Sequence, residues 1–113
     1  MKYVLMFVET ERYTQQLAGM GDDEREAAYD AVGRWFAEHS ARITHHAHLQ
    51  PAHTATTVRL DEGRAEVTDG PFVEGKEVVS GFVEVEVADL DEALAMARSW
   101  PACPIVELRP AAD

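Results

Sequence analysis

Four histidines fall within nine residues: His45, His46, His48 and His53. Downstream stands the stretch densest in residues with backbone consequences, Val67-Thr68-Asp69-Gly70-Pro71-Phe72-Val73-Glu74-Gly75-Lys76-Glu77. Imidazole titrates near neutrality and a neighbouring carboxylate fixes its tautomer, so His46 or His48 held by Asp69 would make a general acid–base pair. One such pair suits isomerisation, dehydration or elimination without a cofactor. Arg59 or Arg109 would hold an anionic substrate, and Phe72 and Lys76 are further candidates for substrate contact. No G-x-G-x-x-G pattern occurs, which disfavours a tightly bound dinucleotide, and no cofactor is expected. Two histidines at i and i+2 on a strand face could share a metal. No cysteine or closely spaced acid completes a recognisable ligand set, so no metal is expected either. Cys103, the single cysteine, lies between Pro101 and Pro104 with no cationic neighbour and is a poor nucleophile.

The elements that would position these groups follow from periodicity. From Tyr3 to Val8 both alternating faces are apolar, which predicts a central strand buried on both sides. Glu9 to Gly21 reads as a polar loop with a short turn around Tyr13 to Leu17. Acidic Asp22-Asp23-Glu24 opens an amphipathic helix running to about Ala41, with Ala28, Val32, Trp35, Phe36 and His39 on its apolar face and Trp35 and Phe36 packed on the sheet. Ile43 to Gln50 is a strand whose period of two puts His46 and His48 with Thr44, and His45 with Ile43, Ala47 and Leu49. Thr54–Leu60 and Arg64–Thr68 flank Asp61-Glu62-Gly63, a good hairpin turn. Arg59, on the polar face with Ala55 and Thr57, either looks into a pocket or pairs with surface carboxylates. Gly70-Pro71 then makes a rigid corner, because Gly70 tolerates positive φ and Pro71 drives it from the α region. The polar loop carrying Glu74, Lys76 and Glu77 leads into a strand from Val79 to Val87. Val83, Val85 and Val87 form its core face, and Phe82, Glu84 and Glu86 the other. Asp89 with Glu92 predicts a capping box, and the helix turns Leu90, Ala93, Leu94, Ala97 and Trp100 inward before Pro101. Ile105 to Arg109 is the last strand, with Glu107 and Arg109 on one face.

The order β, α, β, inserted hairpin, β, α, β is that of an α+β, ferredoxin-like βαββαβ sandwich. With both helices on one face the other sheet face needs a cover, and a second copy of the chain is the economical one. At 113 residues the chain is a single domain, 1–113. A net charge of −11 argues against nucleic acid as a partner. No apolar run approaches the roughly 20 residues of a membrane helix, and the short apolar N-terminus reads as a strand and not a signal peptide. A lone cysteine fits a reducing cytoplasm.

Beyond these elements, Thr54-Ala55-Thr56-Thr57-Val58-Arg59, Val67 to Phe72 with Glu74, Lys76 and Glu77, Gly81-Phe82, Asp89 to Ala93 and Glu107 to Pro110 together resemble the DGPF branch of the YCII-related family. The resemblance runs from Met1 to about Pro110. Val73 and Gly75 stand where such proteins usually have alanine and threonine. The resemblance implies a ferredoxin-like fold pairing as a dimeric α+β barrel, and a His–Asp pair of the kind attributed to other YCII-related proteins. The histidines before Leu49 are not part of the family pattern, so which of them would meet Asp69 stays open. Proteins with the DGPF motif also resemble accessory partners of extracytoplasmic-function sigma factors, which implies a second possibility, a noncatalytic ligand-binding or regulatory module. A ligand bound without conversion would favour that possibility, and turnover would count against it.

Overall fold

The computed structural model describes residues 1–72 and 75–112, so the expectations on Val73 and Glu74 lie outside the described residues. Strands β1 (Lys2–Thr10), β2 (Ile43–His48), β5 (Glu77–Glu86) and β6 (Ile105–Pro110) form one antiparallel sheet in the order β2-β5-β1-β6. Helices α1 (Glu11–Ala18), α2 (Asp22–Glu38) and α3 (Leu90–Arg98) accompany it, and β3 (Thr56–Arg59) and β4 (Glu66–Asp69) form a separate hairpin. This is the ferredoxin-like βαββαβ plan with an inserted hairpin. Among the described residues no helix is long and apolar enough to cross a membrane.

The core lies on the helical side of the sheet. Tyr3, Leu5 and Phe7 of β1 and Val83 and Val85 of β5 are buried there against Trp35 of α2 and Ala93 and Met96 of α3. Asp89 caps α3 as its sequence implied, its carboxylate accepting from the Glu92 amide at 3.0 Å. Met96, not Leu90, is the deep anchor of that helix, and Leu90 is exposed. His39 is buried at the C-terminus of α2, its Nε2 3.3 Å from Ser99 Oγ, and ties that helix to the end of α3.

Among the described residues the opposite sheet face carries no helix. Val4, Met6 and Val8 are only half-buried, so the expectation of burial on both sides of β1 holds for one face. Met6 stands opposite Phe82 and Glu107, and Val4 opposite Glu84 and Arg109, giving an apolar centre with a charged rim.

Two corrections concern local structure. Glu9 to Gly21 is not a loop: Thr10 ends β1 and at once caps α1, its hydroxyl accepting from the Tyr13 amide at 3.1 Å. In β2, a bulge between Ile43 and His45 leaves Thr44 as the extra residue. Ile43 therefore opposes Val85 and His46 opposes Val83, both on the helical side, while His45 opposes Glu84 on the open side. A strict period of two had put Ile43 with His45. The Thr44 hydroxyl donates to the Glu84 carbonyl at 3.1 Å and contacts its carboxylate at 2.9 Å. That bond, with Lys2 nearby, holds the Glu84 carboxyl below its ordinary pKa.

The β3–β4 hairpin is an arm. Among the described residues its strands pair with each other and with no other strand, and the chain has a radius of gyration of 16.1 Å. A compact chain of this length would have about 13 Å. Glu62 and Gly63 take positive φ at its tip, and Gly70 does so, at 102°, at the corner before Pro71.

Candidate functional site

A cavity of about 580 Å³ opens between the helical layer and the edge of the sheet. Each wall comes from a different element. Phe7 and Glu9 come from β1, and Tyr13, Thr14 and Leu17 from α1, where the spacing i, i+1, i+4 keeps them on one side. Helix α2 supplies Ala28, Tyr29, Val32 and Phe36, the upper part of its apolar face. Its lower part, Trp35 and His39, fills the core. His46 and His48 reach the cavity from β2, on the side the Thr44 bulge assigns them.

Aromatic packing stiffens this wall. Trp100 stacks on Phe7 with ring centroids 3.9 Å apart, and the Phe36 ring lies 4.9 Å from His46. His48 stands opposite Gly81, and a Cβ on Gly81 would come within 2.8 Å of the Ala47 carbonyl oxygen, so the close approach of β2 to β5 requires glycine. Burial raises the pKa of the Tyr13 phenol, with Cys103 and Glu9 adding to the shift, so Tyr13 remains a proton donor. Burial likewise raises the Cys103 thiol, despite the hydrogen bond it accepts from Trp100 Nε1 at 3.4 Å. Cys103 is thus a protonated wall residue, in keeping with the weak nucleophile its sequence context suggested.

The candidate residues separate into three places. His46 and His48 line the cavity. Asp69, Arg59 and Phe72 lie on the arm or at its corner, exposed. Among the described residues Asp69 makes no side-chain hydrogen bond to a histidine, and it is not part of the cavity wall. Arg59 Nη2 donates to the Phe72 carbonyl at 3.2 Å and Thr57 Oγ1 to the Gly70 carbonyl at 2.7 Å, so both brace the corner; among the described residues Arg59 forms no ion pair. Lys76 lines, with His53 and Pro71, a second and smaller depression of about 360 Å³ at the root of the arm. Arg109 lies on the open sheet face, paired with Glu107 at 2.6 Å. No cluster of three or more His, Cys, Asp or Glu side chains able to hold a metal occurs among the described residues.

Glu9, Tyr13, Tyr29 and Ser80 in the cavity wall were not anticipated. The Tyr13–Leu17 spacing of four, preceded by Thr10 as a cap, was the available signal for α1 and its inner face.

Comparison with known proteins agrees with this architecture. A solved structure, 5-chloro-2-hydroxyhydroquinone dehydrochlorinase from Burkholderia phenoliruptrix in complex with 2,5-dihydroxybenzoquinone, superposes with a TM-score of 0.59 at 13% identity, covering 99% of this chain and 94% of that one. At that identity the likeness shows a shared fold. An uncharacterised protein of Rhizobium meliloti is 34% identical over 116 residues, which cover 99% of this chain and 93% of the relative. The model of the YCII-related domain matches residues 1–108, and the chain belongs to the YCII-related family.

Proposed function

We propose that this chain processes a small molecule in the cavity between sheet and helices, by cofactor-independent acid–base chemistry of isomerase or lyase type, with His46 or His48 transferring the proton. One observation carries the reading: two imidazoles from one strand line a cavity walled mainly by aromatic and aliphatic side chains. A mainly apolar wall with a few convergent polar groups is the usual form of a small-molecule site, and imidazole is a side chain suited to moving a proton there. The neighbouring fold belongs to a dehydrochlorinase, and loss of a proton and a chloride is an elimination that needs a base and no electron acceptor.

In this reading the protein is a homodimer paired through its open sheet faces, working in the cytoplasm. Asp69 orients a cavity histidine only when the arm of a second copy carries it there. The arm residues Arg59, Phe72 and Lys76 then contact substrate from the rim, and Arg109 sits in the seam between sheets. Turnover of chlorinated and hydroxylated benzenes by wild type, His46→Gln, His48→Gln and the double variant tests the proposal. Unchanged turnover in the double variant would remove it.

A second reading rests on the arm, where Val58, Leu60, Val67 and Phe72 are exposed. Four exposed apolar side chains on a projecting hairpin suit contact with another protein, as a noncatalytic ligand-binding module associated with a sigma factor would need. A ligand that binds in the cavity and is recovered unchanged supports this second reading.

A further inference from the structure

The titratable side chains lining the cavity are Glu9, Tyr13, Tyr29, His46, His48 and Cys103, and among the described residues no lysine or arginine reaches it. Glu9 stands opposite Val78, another wall residue, near the end of β1. It takes part in none of the ion pairs found among the described residues. Its charge is felt by its neighbours: it contributes to the raised pKa values of both Tyr13 and Cys103. The cavity thus holds a carboxylate with no counter-cation, in a wall that is mostly apolar.

We infer that Glu9 determines the specificity of this cavity, selecting an uncharged ring that bears hydroxyl groups and turning away carboxylates. The inference rests on the cavity being the ligand site and is independent of turnover there. An ionised carboxylate only accepts hydrogen bonds, so it pairs with a ligand O–H in a charge-assisted bond. A ligand carboxylate would lose its hydration and meet a like charge, and among the described residues no lysine or arginine lines the wall to offset either cost. The chain's charge of −11 adds repulsion at longer range. The stacked Phe7–Trp100 pair, with Phe36 close to His46, offers flat apolar surface to a planar ring. Within one copy of the chain Arg59, Lys76 and Arg109 are not among the side chains that line this cavity, so any contact they make with a ligand comes from its rim.

Hydroquinone and benzoate, rings of similar size, separate the two chemistries. Isothermal titration calorimetry at pH 8 with wild type, Glu9→Gln and Glu9→Lys is the test, with circular dichroism confirming the fold of each variant. Wild type is expected to bind hydroquinone about tenfold or more tightly than benzoate, a preference narrowed by Glu9→Gln and inverted by Glu9→Lys. Equal or tighter binding of benzoate by wild type, or a ratio unchanged in both variants, overturns the inference. Binding of neither probe removes the cavity as a ring site, and this inference with it. If selectivity follows Glu9 while the His46 and His48 variants keep full turnover, only the acid–base proposal falls.

Discussion

The cavity and the arm share out the residues that carry chemistry, and they are held by different forces. The cavity draws on β1, β2, β5, α1 and α2, and its frame is fixed by buried Leu5 of β1, Val83 and Val85 of β5 and Trp35 of α2. The arm is a hairpin of two four-residue strands, held by its own ladder, by Thr57 and Arg59 at the Gly70-Pro71 corner, and by little apolar burial. Groups that must stay within a fraction of an ångström of a substrate belong on the first kind of support. The second kind suits a contact that forms when a partner arrives, because an isolated two-stranded ribbon gains little from its own packing.

Substitutions on the two sides sharpen this contrast. If the chemistry is in the cavity, replacing His46 and His48 together by Gln lowers kcat/KM by about 10²–10⁴-fold, the usual contribution of a general acid or base. Arg59→Gln and Lys76→Gln on the arm lower it by less than about tenfold, since rim contacts with solvent access contribute little. A steady-state comparison in one assay checks both.

Stability separates the regions next. Trp100→Ala removes the ring stacked on Phe7 and is expected to cost about 3–5 kcal/mol in urea denaturation. Phe72→Ala, at a side chain 71% exposed, is expected to change stability by less than about 0.5 kcal/mol. A smaller pair of effects comes from the glycines. Gly81→Ala pushes a Cβ against the Ala47 carbonyl and is expected to cost about 2–3 kcal/mol. Gly70→Ala meets no atom within 4 Å but must keep φ at 102°, for about 1–2 kcal/mol. Gly81 does not take positive φ, so a cost no larger than that of Gly70→Ala would show that the β2–β5 approach yields to a Cβ. Removing the α1 cap with Thr10→Ala is expected to cost about 1 kcal/mol.

Cys103 gives the mildest test. Its thiol pKa is raised by burial, so the folded state favours the neutral form, and the associated stability is present below the unfolded thiol pKa and lost as pH rises through the folded one. Alkylation by iodoacetamide at pH 8 is therefore expected to be slower in the folded chain than in urea, because the thiolate is the attacking species. Equal rates would place the thiol in solvent.

The same contrast explains what the sequence disclosed. Alternation in Val83, Val85 and Val87 and the helical spacing of Ala28, Val32, Trp35 and Phe36 were strong because burial enforces them, and they located the sheet and its helical side correctly. Rare residue types pulled attention toward the Asp69-Gly70-Pro71 corner. That corner is conspicuous for backbone reasons, and Gly70 does take positive φ there. The distance from Asp69 to the histidines depends on how the arm leaves the sheet, which no local pattern encodes. Thr44 was equally silent: a bulge shifts the register by one residue and leaves no trace in a period of two. Helix α1 was hidden because it has no buried residue, so its polar sequence resembled a loop.

The five histidines are distributed over four regions. His39 is in the core, His45 lies 5.7 Å from the Phe82 ring on the open sheet face, His46 and His48 line the cavity, and His53 lines the depression at the root of the arm. Histidine-selective NMR during a titration with hydroquinone reads all five at once. Shifts confined to His46 and His48 are the predicted result and place the ligand in the cavity. Shifts at His53 or His45, with His46 and His48 unmoved, would place it on the arm or the open face and contradict the assignment of the site.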